Sequence, residues 1–145
     1  MSEFQIKFKE VTPNRVLIAD DDPLIRHLVA TVVKQQHCDV VIASDGREAY
    51  KILQSDSRFK AAILDLTMPF LEGLDLVNYM RSEKRLMRIP IMIITAEENI
   101  KLMSESFSAG ATAFLPKPFT PEQLESAIRM LLHSQRMIRR ASSLR

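Results

Sequence analysis

The chain has 145 residues and a formal net charge of +2, with 46% hydrophobic residues, 26% charged residues and a single cysteine. That length holds one ordinary domain with short extensions and leaves no room for a second catalytic domain, while the composition excludes a wholly disordered chain. Cys38 cannot form an internal disulfide, no apolar run approaches the ~20 residues of a membrane span, and Met1-Ser2-Glu3-Phe4 lacks the basic and apolar regions of a signal peptide. The expectation is a cytoplasmic protein in which Cys38 acts as a small buried hydrophobe.

In chain order, Phe4, Ile6 and Phe8 alternate with Gln5, Lys7 and Lys9, which is strand-like spacing in an N-terminal extension over residues 1–14. Pro13-Asn14 breaks it. Five apolar runs follow, Arg15 to Ala19, Asp39 to Ala43, Ala61 to Leu64, Ile91 to Ile94 and Ala111 to Leu115. Their starts lie roughly 20 to 30 residues apart, the span of a strand-helix repeat in a parallel sheet. Helical patterns fill the intervals. Leu24, Ile25, Leu28, Val29, Val32 and Val33 form a 3.6-period stripe, with Asp22 placed as N-cap and Pro23 at the first helical position. A second helix opens near Asp45-Gly46 and carries Ala49, Ile52 and Leu53. The third begins at Gly73, buries Leu74, Val77 and Met80, and ends ahead of Pro90. A fourth, with Ile100, Met103 and Phe107, ends at Gly110 as a left-handed cap. Thr120-Pro121-Glu122-Gln123 has the capping-box arrangement and opens a fifth helix through Leu124, Ala127, Ile128, Leu131 and Leu132, expected to fray after His133. Five strands alternating with five helices predict an α/β domain over residues 15–134, built on a doubly wound parallel sheet.

Polar groups of this pattern converge on one edge. Ala61 to Leu64 reads as a buried strand that presents Asp65 at its carboxyl end, where open α/β sheets bind their ligands. The first strand runs directly into Asp20-Asp21-Asp22, so Asp20, Asp21 and Asp65 gather there if both strands are central. Clustered carboxylates repel unless a cation neutralises them, and an oxygen donor set of this kind suits Mg²⁺. Asp22 alone is explained as a helix cap. The fourth strand brings Thr95 to the same edge and the fifth brings Lys117. A carboxylate nucleophile, a divalent ion, a hydroxyl donor and an ammonium are together a set that holds a phosphoryl group.

With Ile18-Ala19-Asp20-Asp21, Ile63-Leu64-Asp65, Met68-Pro69, Gly73, Ile94-Thr95-Ala96 and Lys117-Pro118-Phe119 in this order, the chain resembles the receiver domain of a two-component response regulator, the CheY-like family. The resemblance implies a flavodoxin-like sheet of order 2-1-3-4-5 and a phosphoacceptor at Asp65, charged by a histidine kinase or phosphotransfer protein. It further implies Mg²⁺ bound by Asp21, Asp65 and the backbone carbonyl of Thr67, with Asp20 acting through a metal-bound water. Thr95 and Lys117 would grip the phosphoryl oxygens, Phe114 would be the switch aromatic, and Lys117-Pro118 would be a cis peptide. Thr67 and Glu97 match positions that tune phosphoryl lifetime, and Glu97 is expected to pair with Lys117 when phosphate is absent. The family's homodimers use the fourth helix, fifth strand and fifth helix.

Two rivals remain. Asp20 and Asp22 have the Asp-x-Asp spacing of haloacid-dehalogenase-like phosphatases, with Asp20 as nucleophile, although Pro23-Leu24 follows them and no late acidic pair or cap segment exists. The other is a receiver-like docking module that never turns over phosphate. No Asp or Glu follows Glu125, whereas Arg129, Arg136, Arg139, Arg140 and Arg145 do. The basic tail over residues 135–145 reads as the start of a linker to an output domain rather than as a nucleic-acid reader.

Overall fold

The structure is a computed structural model that describes residues 14–96 and 100–143, with side chains as far as Ser134. The alternating segment at Phe4 to Phe8 lies outside the described residues. Strands β1 (Arg15–Ala19), β2 (Asp39–Ala43), β3 (Ala61–Asp65), β4 (Ile91–Thr95) and β5 (Ala113–Pro116) form one parallel sheet in the order β2-β1-β3-β4-β5. Helices α1 (Pro23–Gln35), α2 (Gly46–Ser55), α3 (Gly73–Ser82), α4 (Ile100–Ala109) and α5 (Pro121–Ser143) connect and flank the strands. This is the flavodoxin-like order that the motifs imply.

Every residue of the central strands β3 and β4 is buried, which explains their continuous apolar runs. Alternate side chains leave the sheet on opposite faces. Leu17, Ala62, Leu64 and Ile93 join Ala49, Leu53, Leu76, Val77 and Met80 from α2 and α3. Val16, Ile18, Ile63 and Ile94 join Val29 and Val33 of α1 and Leu124, Ile128 and Leu131 of α5. Cys38 is buried in that second layer, where burial pushes its thiol pKa upward.

Local chemistry fixes the helix starts. Asp22 accepts from the Leu24 N–H at 2.9 Å, and Asp45 accepts from the Glu48 N–H at 2.8 Å. Thr120 and Gln123 bond reciprocally at 2.9 and 3.1 Å, completing the capping box. At the end of α4, the Ala111 N–H reaches Ser106 O and the Gly110 N–H reaches Phe107 O, a Schellman pair closed by Gly110 at φ 118°. His37, at φ 62°, ends α1 with the same bond pattern to Val33 and Lys34, a cap that no glycine announces.

Four expectations change. α4 turns Ile100, Met103 and Phe107 to solvent, at 81%, 37% and 45% exposure, and packs instead through buried Ser106 and half-buried Leu102 and Ala109. The Ser106 hydroxyl donates to Leu102 O at 2.8 Å, so a polar residue occupies the packed face without an unsatisfied group. In α3, Leu76 takes the fully buried place expected for Leu74, which is only half-buried. Finally, α5 continues past His133 to Ser143, and β5 begins at Ala113 rather than Ala111.

Candidate functional site

Asp65 closes β3 and Thr95 closes β4, while Asp20 follows β1 directly. All three are buried, at 5%, 1% and 3% exposure, at the carboxyl edge of the sheet. Beneath them Ile18, Ile25, Val29, Ile63 and Ile94 form an apolar floor with no room for a water molecule. Carboxylates in such a place require partners. Lys117, just beyond β5, supplies one: its Nζ donates to Asp20 Oδ2 at 3.0 Å and to Asp65 Oδ2 at 3.3 Å. The Lys117 N–H donates to Thr95 O at 2.8 Å, which ties the β5 end to the β4 end, and Lys117-Pro118 is cis.

Backbone donors position the acids. The Thr67 N–H reaches Asp65 Oδ1 at 3.2 Å, and the Asp22 N–H reaches Asp20 Oδ1 at 2.9 Å. Burial pushes the Asp65 pKa up, and the Asp20 charge adds to this; Lys117 and the Thr67 N–H offset only part of it. Burial opposes the charge on Lys117, but its hydrogen bond to Asp20 and the charges of Asp65 and Asp20 outweigh that, holding its pKa above the ordinary lysine range.

Asp21 is exposed beside these residues, and carboxylate oxygens of Asp20, Asp21 and Asp65 lie within 4.8 Å of one another. Lys117 makes the only salt bridges to this cluster among the described residues, so acid exceeds base there. An all-oxygen set with surplus negative charge fits a hard divalent cation. Asp22 stands apart, its side chain engaged in capping α1.

Thr67 is exposed at the rim, and Phe114 on β5 is half-buried against the layer containing Leu76 and Met80. Glu97, with its expected bond to Lys117, lies outside the described residues. Gly73 of the motif has a steric reason: a Cβ there would fall 2.2 Å from the Asp65 carbonyl oxygen. Its own N–H donates to Leu66 O at 3.0 Å, so the start of α3 is built directly against the strand end that carries Asp65.

Two contributors carry no sequence signal. Arg26 donates from Nη1 to Asp20 O at 2.8 Å, bracing the loop after β1. Phe70 sits at φ 72° with the Leu71 N–H bonded to Pro69 O, the strained form of γ-turn, and its exposed ring lies 4.0 Å beneath the Arg47 guanidinium. Only the Asp22 cap and the Met68-Pro69 pair were legible near these positions.

The comparisons with known proteins agree with this geometry. A family model described as "Response regulator receiver domain" matches residues 16–129. "Response regulator MprA" of Mycolicibacterium vanbaalenii is 37% identical over 120 residues, covering 83% of this chain and 51% of the relative. "Chemotaxis protein CheY1" of Helicobacter pylori is 34% identical over 119 residues, covering 81% of this chain and 96% of the relative. The structure of the chemotaxis response regulator CheY4 of Vibrio cholerae superposes with a TM-score of 0.75 at 33% identity, covering 83% of this chain and 99% of the other. The chain thus spans about half the length of the MprA regulator it matches, and nearly all of CheY1.

Proposed function

The chain belongs to the response regulator receiver family, and from that premise we propose that it is a Mg²⁺-dependent phospho-switch in which Asp65 accepts a phosphoryl group from a histidine kinase or phosphotransfer protein. One observation carries the reading: a single ammonium, Lys117, is shared by two buried carboxylates from different strands, beside the buried hydroxyl residue Thr95.

An Asp65 carboxylate oxygen attacks phosphorus; the O–P bond forms as the N–P bond to the donor imidazole breaks, and the imidazole leaves with the bonding pair and takes up a proton. Asp20 and Asp21, with Asp65 and the Thr67 carbonyl, would hold the divalent ion, Asp20 through a water. Bound there, the ion supplies positive charge against the phosphoryl oxygens. Lys117 moves from pairing with carboxylates to pairing with the new phosphoryl group, and Thr95 donates to it. Phe114 then turns inward and biases α4 toward a partner-binding arrangement. Thr67 and Glu97 set how long the phosphoryl group survives. In this reading residues 15–134 are the switch, the tail from 135 leads toward an output, and pairing through α4, β5 and α5 is the mode of self-association. The phosphatase alternative requires Asp22 as general acid, and the engagement of that side chain at the α1 N-terminus counts against it.

Intact-mass analysis after incubation with acetyl phosphate, with and without Mg²⁺, tests this on the native chain, Asp65→Asn and Asp20→Asn. The expected result is a Mg²⁺-dependent phosphoryl adduct absent from Asp65→Asn. No adduct on the native chain, where a control receiver is labelled, would leave a docking module; steady phosphate release that depends on Asp20 would indicate the phosphatase.

A further inference from the structure

A group outside the site has a cost that the fold alone leaves unexplained. Arg81, in the last turn of α3, is half-buried and makes no salt bridge among the described residues. Burial works against its charge and lowers its pKa. Its guanidinium instead donates to three backbone carbonyls: Nε to Gly110 O at 2.9 Å, and Nη1 to Ile89 O at 2.8 Å and Met87 O at 3.2 Å. Carbonyls leave the charge largely uncompensated, but they fix position.

The two sides of this clamp differ in how deeply they are packed. On one side stand α3, with Leu76, Val77 and Met80 buried, and the turn before β4, whose Leu86 and Ile89 are buried. On the other is the end of α4, a helix whose only fully buried residue is Ser106. Gly110 is fitted to the clamp as well as to its left-handed backbone, because a Cβ there would lie 2.7 Å from Arg81 Cγ. The opposite end of α4, at Ile100, has no such tie to α3 among the described residues and follows Thr95 by a short connection.

We propose that Arg81 is the pivot of the switch: it pins the Gly110 end of α4 to the rigid α3 body, so that phosphorylation displaces the Ile100 end and leaves the Phe107 end in place. This rests on the phospho-switch reading and adds where the motion is anchored. Arg81 is a positioning residue, remote from the reacting atoms. It makes the exposed Ile100 and Met103 the part of the apolar face that changes, and Phe107 the part that stays.

Amide hydrogen exchange by NMR tests this on the native chain, with and without beryllofluoride as phosphoryl mimic in the presence of Mg²⁺. The expected change in protection over residues 100–104 exceeds that at Gly110 and Ala111 by at least about threefold. In Arg81→Gln the Gly110 and Ala111 amides, which close the Schellman pair, should lose about tenfold in protection and the gradient along α4 should vanish, while acetyl phosphate labels Asp65 as in the native chain. Arg81→Lys, which keeps the charge and one donor group, should fall between and guards against a folding defect. A uniform change along native α4, a change largest at Gly110, or a gradient that survives in Arg81→Gln would overturn the pivot. Failure of the native chain to form the Asp65 adduct would overturn both this and the phospho-switch; an adduct without the gradient overturns the pivot alone.

Discussion

Helices α3 and α4 are neighbours of equal length, ten residues each, and they are held in opposite ways. α3 buries Gly73, Leu76, Val77 and Met80 and abuts the Asp65 carbonyl at its first residue, whereas α4 buries Ser106 and leaves Ile100, Met103 and Phe107 in solvent. The first is part of the frame that fixes Asp65, the phosphoacceptor of the proposed reading. The second packs through Leu102, Ser106 and Ala109 with only Ser106 fully buried, and offers its apolar face outward. If the chain is the phospho-switch proposed above, firm packing beside Asp65 and lighter packing of α4 would suit it, because elements that move come from the low-stability end of a structure.

Substitutions can break this contrast. The largest effect is expected in α3: Leu76→Ala should cost about 2–5 kcal/mol by leaving a cavity in a fully buried site, measured by urea unfolding. Gly73→Ala should cost about 1–3 kcal/mol through overpacking and, more tellingly, should slow formation of the acetyl phosphate adduct, since the added methyl forces the start of α3 and the Asp65 backbone apart. At the other extreme Ile100→Ala should stay within about 0.5 kcal/mol of the native chain, because so exposed a side chain has little burial to lose. An Ile100→Ala loss as large as that of Leu76→Ala would mean that α4 is as firmly packed as α3.

What was legible in the sequence follows the same division. Strand ends, caps and the acidic cluster could be read because each depends on residues close in sequence or on a run that stops at a polar group: Asp65 after Ala61 to Leu64, Asp22 before Pro23, Thr120 with Gln123. The face of α4 could not. Periodic apolar residues specify a stripe but not whether the protein itself covers it, and Ser106 conceals the packed side by satisfying its hydroxyl within the helix. Arg26 and Arg81 were unreadable for a related reason. They bond to backbone carbonyls, which every residue offers, so no partner residue type betrays them. His37 shows the complement, a left-handed cap imposed by the turn into β2 on a residue that does not prefer it.

The outward face of α4 also has an optical consequence. The chain contains no tryptophan and only two tyrosines, Tyr50 and Tyr79, whose rings sit 4.7 Å apart between α2 and α3. Its native fluorescence therefore originates between α2 and α3, and a single indole introduced at Met103, excited where tyrosine does not absorb, would report from α4 alone. That one substitution would make any rearrangement of α4 visible in the emission of the chain itself.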